Sequence, residues 1–123
     1  MNRSLFEVLV TERYSVEAEH PFSGDQTIAV FRHRENRKWF CVVMTIPKRT
    51  LGIGTDGSID VVNLKCAPEM LDTLWQERGI YPAYHMHKGH WITVLLDGSV
   101  TQQTLAYLLS ISFDLTDVKK RKK

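Results

Sequence analysis

Three runs of β-branched and aromatic residues follow one another between Thr27 and Leu64, and the links between them are short and carry no helical pattern. The runs are Thr27 to Phe31, Trp39 to Ile46 and Ser58 to Leu64. A parallel connection needs a dozen or more residues, usually a helix, so these strands must pair antiparallel. The polar tip Arg32 to Arg37 makes the first two a hairpin, and Pro47 stops the second strand. A further candidate hairpin lies in Tyr81 to Leu96, with strands near Ala83 to His87 and His90 to Leu96 joined around Lys88-Gly89.

Helical spacing brackets the strands. Leu5, Phe6, Leu9 and Val10 follow a possible Asn2 cap. Pro68 suits a first helical position, Glu69 complements the helix dipole, and Met70, Leu71, Leu74 and Trp75 keep the spacing until Gly79. Thr101 caps a third helix from Gln102 to about Asp114, with Val100 and Leu105 placed as a hydrophobic staple. The expected order is α-β-β-β-α-β-β-α: a two-layer α+β domain, an antiparallel five-stranded sheet with helices on one face.

The chain has 123 residues, the length of one domain, which we bound at residues 1–118. The formal charge of +2 hides an asymmetry. Removing Lys119 to Lys123 takes five of the sixteen basic residues and leaves eleven against fourteen acids, a body of −3. Residues 119–123 therefore read as a disordered basic tail, with a tether to nucleic acid as the sharper alternative. No apolar run approaches the ~20 residues of a membrane span, and no signal-peptide pattern opens the chain, so a cytoplasmic location is expected. Cys41 and Cys66 lack CxxC spacing and read as buried thiols.

Chemistry-bearing patterns are few. Gly52 to Gly57 matches GxGxxG, but a dinucleotide fingerprint must open a helix and this one precedes a β-type run, so its glycines are turn residues. His85 and His87 at period-two spacing, with His90, raise a metal site; no acid or thiol is near in sequence, and we assign no metal and no cofactor. Hydrogen bonding of His85 and His90 across the hairpin or to backbone, with Trp91 packed on the core, is the expected role. No nucleophile and base, carboxylate pair or phosphate cradle is identifiable, and Asp60 and Asp72 read as solvent-exposed, so an enzyme is not expected.

Two binding readings remain. Arg32, Arg34, Arg37, Lys38, Lys48, Arg49 and Lys88 occupy hairpin tips, and Trp39 or Trp91 could stack on bases, which describes a DNA surface. The other reading is a protein-interaction or small-ligand module, monomeric or homodimeric, using the sheet face opposite the helices. Whether those cations share one face, or that face is apolar, separates them.

Pro21-Phe22, Lys38-Trp39-Phe40, the run Asn63 to Glu69 (NLKCAPE), Pro82 to Met86, Lys88, His90-Trp91 and Ser112 to Leu115 together resemble the MmcQ/YjbR family across essentially the whole chain. The resemblance implies a compact α+β fold like the type III secretion chaperones and the frataxin-like group, and a set of small bacterial proteins without an established activity. It also brings a DNA-binding role of double-wing type, inferred from fold similarity alone. With it the candidate ligand or nucleic-acid residues become Arg32, Arg34, Arg37, Lys38, Trp39, Lys65, His85, Lys88, His90 and Trp91. Two positions depart from the family pattern: residue 87 is histidine where asparagine is usual, and Ala67 replaces an aspartate that would cap the following helix.

Overall fold

The structure, a computed structural model, describes residues 1–54 and 56–117. The proposed basic tail, and Val118 at the domain boundary, lie outside the described residues.

Asn2 accepts a hydrogen bond from the Leu5 amide (2.9 Å) and starts α1, Arg3–Tyr14; Ser15, in the left-handed region, ends it. Phe6 and Val10, one helical turn apart, are fully buried. β1 (Ala29–Arg32) and β2 (Trp39–Pro47) form the expected hairpin. A single 3₁₀ turn, Lys48–Leu51, then leads to β3, Ser58–Lys65. The glycines of the GxGxxG match do serve this turn: Gly52 and Gly57 have φ of 71° and 90°. After β3 comes the short α2, Leu71–Leu74, preceded by a 3₁₀ turn at Pro68–Met70, then β4 (Ile80–Pro82), β5 (Trp91–Leu95) and α3 (Gln102–Thr116).

The sheet order is β1-β2-β3-β5-β4, with every neighbouring pair antiparallel, so β5 inserts between β3 and β4. One α+β layer pair results, as expected from the sequence.

Register assigns the faces. Ala29, Cys41, Val43, Val62, Leu64, Ile92 and Val94 point to one side and pack with Phe6, Val10, Leu105, Leu108 and Leu109 of the helices. Val30, Val42, Met44, Ile46, Ile59, Val61 and Leu95 point to the other.

One irregularity matters for both faces. Phe31 opposes Cys41 but Arg32 opposes Trp39, so Phe40 is an extra residue, a β-bulge. Trp39 thereby faces away from the helices while Phe40 joins Cys41 in the helix-side core. The Phe40 carbonyl accepts from the buried Ser112 hydroxyl (2.6 Å), whose oxygen accepts from the Lys65 amide (2.8 Å). One α3 side chain thus satisfies main-chain groups of β2 and β3.

Two sequence expectations need correction. The helix expected from Pro68 to Gly79 is one 3₁₀ turn and one α turn, because Ala67 offers no side-chain cap and the Gln76 and Glu77 amides tighten onto Thr73 and Leu74. Gly79 does more than stop it. At φ 86° a Cβ there would lie 2.7 Å from both Ser99 Oγ and Val100 Cγ2, so only glycine lets the turn after β5 approach.

The strand expected at Ala83 to His87 is a loop, and β4 precedes it. Pro82 ends the strand, His85 turns back at φ 59°, and the Tyr84 amide bonds a side chain, Thr93 Oγ1 (2.8 Å), in place of a ladder carbonyl. His85 and His87 therefore share no strand face.

Candidate functional site

On the helix-free side, loops cover the sheet incompletely. The segment before β1 and the segment after β4 leave a groove of about 500 Å³ between them. Its floor is Val42, Met44 and Ile46, alternate residues of β2. Phe22, Ile28 and Trp39 form one wall and Tyr84, His85 and Met86 the other. Volume and apolar lining fall in the range of ligand-binding clefts.

Each wall is held rigidly. The Phe22 ring meets Trp39 edge-on at 5.8 Å, and the Arg32 guanidinium lies over the indole at 5.7 Å. Asp25 closes the turn below them by accepting from Thr27, and those hydrogen bonds hold its carboxyl below the usual carboxylate range.

Opposite, the Asn63 amide donates to the Tyr84 carbonyl (2.8 Å), Thr93 donates to Asn63 Oδ1 (2.6 Å), and Tyr84 donates its amide to Thr93. This ring of bonds ties the loop to β3 and β5. Tyr84 and His85 stack at 3.9 Å. The same two residues also line a second cavity of about 290 Å³ with Thr50, Leu51 and Lys88, so the stack partitions the two.

The cations singled out from sequence are divided among separate places. Arg32, Arg34 and Arg37 meet at the β1–β2 turn, and Lys38 is exposed beside them. Glu19 binds two of them, Arg32 Nε at 3.0 Å and Arg37 Nη2 at 3.1 Å. Lys48 and Arg49 follow the opposite end of the nine-residue β2, and Lys88 lies by Thr50 and Leu51. Lys65 and His90 line a third place, a cleft with Cys66, Glu69 and Asp114.

That cleft gathers the segments that carry the family resemblance. The Cys66 amide donates to the His90 carbonyl (2.9 Å), Lys65 opposes Trp91, and Ser112 joins them to Phe40. Much of the recognisable pattern is thus the joinery of β2, β3, β5 and α3.

The histidine expectations are partly corrected. His85 packs on Tyr84, His87 Nδ1 accepts from the Gly89 amide (3.0 Å), and the His87 and His90 rings tilt together at 4.9 Å. Ring stacking, not hydrogen bonding across strands, holds His85. Trp91 is half-buried and belongs to neither apolar cluster. Among the described residues no three His, Cys, Asp or Glu side chains are grouped to hold a metal ion. Burial raises the pKa of Cys41 well above the usual thiol value and also raises that of Cys66, which keeps both protonated and poorly nucleophilic. Asp60 is half-buried and accepts from Thr45 (2.6 Å), while Asp72 is exposed.

Sequence reasoning missed the remaining groove wall, Phe22, Tyr84 and Met86, and the Asn63–Thr93 pair behind it. A polar Asn63 within the apolar run Val61 to Leu64 was the available signal. It also missed His33, buried between Phe40 and Phe113. Its Nε2 lies 2.7 Å from Thr116 Oγ1, and that hydroxyl donates to the Ser112 carbonyl, so the network puts the proton on Nε2. Burial lowers the imidazole pKa, outweighing Asp117 and Asp114, which raise it; Lys38 lowers it further.

Comparison with known proteins places this geometry among relatives. The YjbR family model matches residues 11–115. An uncharacterized protein of Bacillus subtilis, YyaQ, is 36% identical over 107 residues, covering 87% of this chain and 91% of that one. The uncharacterized YjbR of Escherichia coli is 40% identical over 53 residues, 42% of this chain and 45% of that one. A Pseudomonas syringae crystal structure, 43% identical, superposes with a TM-score of 0.93 over 95% of this chain and all of that one. A Deinococcus radiodurans structure with a DUF419 domain, 27% identical, gives 0.63 over 86% and 74%. No helix among the described residues is long and apolar enough to cross a membrane.

Proposed function

This chain belongs to the YjbR family, and from that premise we propose that it is a binding module and not an enzyme, with an apolar segment of a partner protein as its ligand. The observation that carries the reading is the groove on the helix-free face, an apolar floor between two aromatic walls. An anchor side chain of the partner would lie on Met44 between Trp39 and Tyr84, desolvated on both sides, as hot-spot residues are.

The basic residues support this choice indirectly. They divide among three places, and acids accompany them: Glu17 and Glu19 with the arginines, Glu69 and Asp114 with Lys65. A duplex backbone needs phosphate contacts along one continuous face.

The test is selection of binders from a random peptide library displayed on phage. Selected peptides should share large apolar anchors and lose binding about tenfold or more to Trp39→Ala and to Met86→Ala, while Leu5→Ala on the outer face of α1 leaves it unchanged. Peptides indifferent to both wall substitutions would overturn the reading. So would tight, steeply salt-dependent binding of duplex DNA at about 50 mM salt, which would restore the nucleic-acid alternative.

A further inference from the structure

We propose that Arg32, Arg34 and Arg37 form an oxyanion site for a phosphate monoester, occupied in the free protein by the Glu19 carboxylate. The pocket shares no lining residue with the groove, although Arg32 also lies over Trp39 of the groove wall, and the site does not depend on the groove's ligand.

The three arginines line one shallow pocket of about 310 Å³ together with Ser15, Val16, Glu17 and Glu19. Glu19 sets its two oxygens against two different guanidiniums, Oε1 at 3.0 Å from Arg32 Nε and Oε2 at 3.1 Å from Arg37 Nη2. An oxyanion bridged in this way shows what the pocket accepts: an anion with several oxygens spread over more than one donor fork.

The backbone makes a special provision for it. Two turn bonds, from the His33 amide to the Lys38 carbonyl (2.9 Å) and from the Arg37 amide to the His33 carbonyl (3.1 Å), fold residues 33–38 tightly. Arg37 then sits at φ 63°, a conformation that glycine or asparagine adopts with less strain. The opposing side is equally fixed, because Glu19 and Val30 exchange both main-chain hydrogen bonds at 2.9 and 2.8 Å. Donors and surrogate carboxylate are therefore held on rigid supports.

The occupancy is incomplete. Arg34 is exposed, and among the described residues it joins none of the ion pairs. Glu19 remains 37% exposed, so a dissolved anion can reach the guanidiniums it holds. A carboxylate brings one charge and two oxygens, which Arg32 and Arg37 use. A phosphate monoester brings close to two charges and three free oxygens, enough to engage Arg34 as well. A phosphodiester has a single charge and two free oxygens, and offers the pocket little that Glu19 does not. The site thus favours a terminal phosphate, whether free or on a small molecule, over a polynucleotide backbone.

The experiment follows the arginine Nε–Hε signals of ¹⁵N-labelled protein through titrations with inorganic phosphate, O-phosphoserine and dimethyl phosphate at about pH 7.5. In Glu19→Gln the Arg32 and Arg37 signals should move together, with phosphate affinity about tenfold above the parent chain. Phosphoserine should match phosphate, and dimethyl phosphate should bind at least about tenfold more weakly. Adding Arg37→Gln to Glu19→Gln should abolish the response, the backbone spectrum reporting that the fold is kept. Unmoved Arg32 and Arg37 signals up to about 20 mM phosphate would overturn the site. Equal affinity in the parent and Glu19→Gln, equal binding of dimethyl phosphate, or a response surviving Arg37→Gln would each do so too.

Discussion

The two faces of the sheet are almost equally apolar, yet they are finished in different ways. On one, Phe6, Val10, Leu105, Leu108 and Leu109 seal the strands with helices. On the other, Val42, Met44, Ile46, Val61 and Leu95 are roofed by loops, which hold their shape through side-chain hydrogen bonds and ring stacking. Helix packing fills space uniformly, whereas a loop roof covers only where its side chains reach. The difference explains why the groove lies where it does: no α layer covers that side of β2.

The comparison breaks most visibly at the sealed face. Phe6→Ala should cost about 3–5 kcal/mol, read by urea unfolding, because neighbouring helices and strands cannot both collapse into the space. Ser112→Ala should follow at about 2–4 kcal/mol, removing the buried hydroxyl that donates to the Phe40 carbonyl and accepts from the Lys65 amide. A loss below about 0.5 kcal/mol would mean that water satisfies both groups and the seam is not dry.

On the roofed face the same logic predicts a smaller, local effect. Asn63→Ala removes the donor to Tyr84 and the acceptor of Thr93, at about 1–3 kcal/mol, and should speed hydrogen exchange of the Tyr84 amide while sparing α3. Uniform acceleration throughout the chain would show that the loop is part of the global unit. Phe22→Ala, at a half-exposed wall, should cost no more than about 1 kcal/mol and is a probe of binding alone.

The pH dependence sharpens the contrast further. Burial depresses the folded pKa of His33, so the unfolded chain binds more protons at mildly acidic pH. Its contribution is therefore complete above the unfolded value of about 6.5 and is lost as pH falls through the lower folded one. His33→Phe should flatten the stability profile in that window, measured by urea unfolding from about pH 7.5 to 5.

Much of this was legible in the sequence. The caps at Asn2 and Thr101, the β1–β2 hairpin and the antiparallel pairing follow from local patterns, and local patterns dominate there. The loop after Pro82 was not legible. Its Ala-Tyr-His-Met-His alternation mimics a strand, and only Thr93, a residue on the neighbouring strand, reveals that the Tyr84 amide has a non-ladder partner. The region after Pro68 misled for a related reason: apolar spacing suggested a long helix, but a missing cap and a close approach at Gly79 limited it. From sequence, an apolar sheet face opposite the helices was one of two open alternatives, and the groove itself was not foreseen. Its walls come from residues far apart in the chain, Phe22, Trp39 and Met86, which no spacing rule connects.

The bulge at Phe40 sets the phase of everything upstream on β2. Residues beyond it alternate in one rhythm and Trp39 in the other, so the indole is directed outward because Phe40 and Cys41, though adjacent, both face the core. With the same residues and no bulge, strict alternation back from Cys41 would put Phe40 on the groove side and turn the indole toward the dry interior. The capacity to bind on this side therefore depends on one local break in the pleat as much as on which side chains are present.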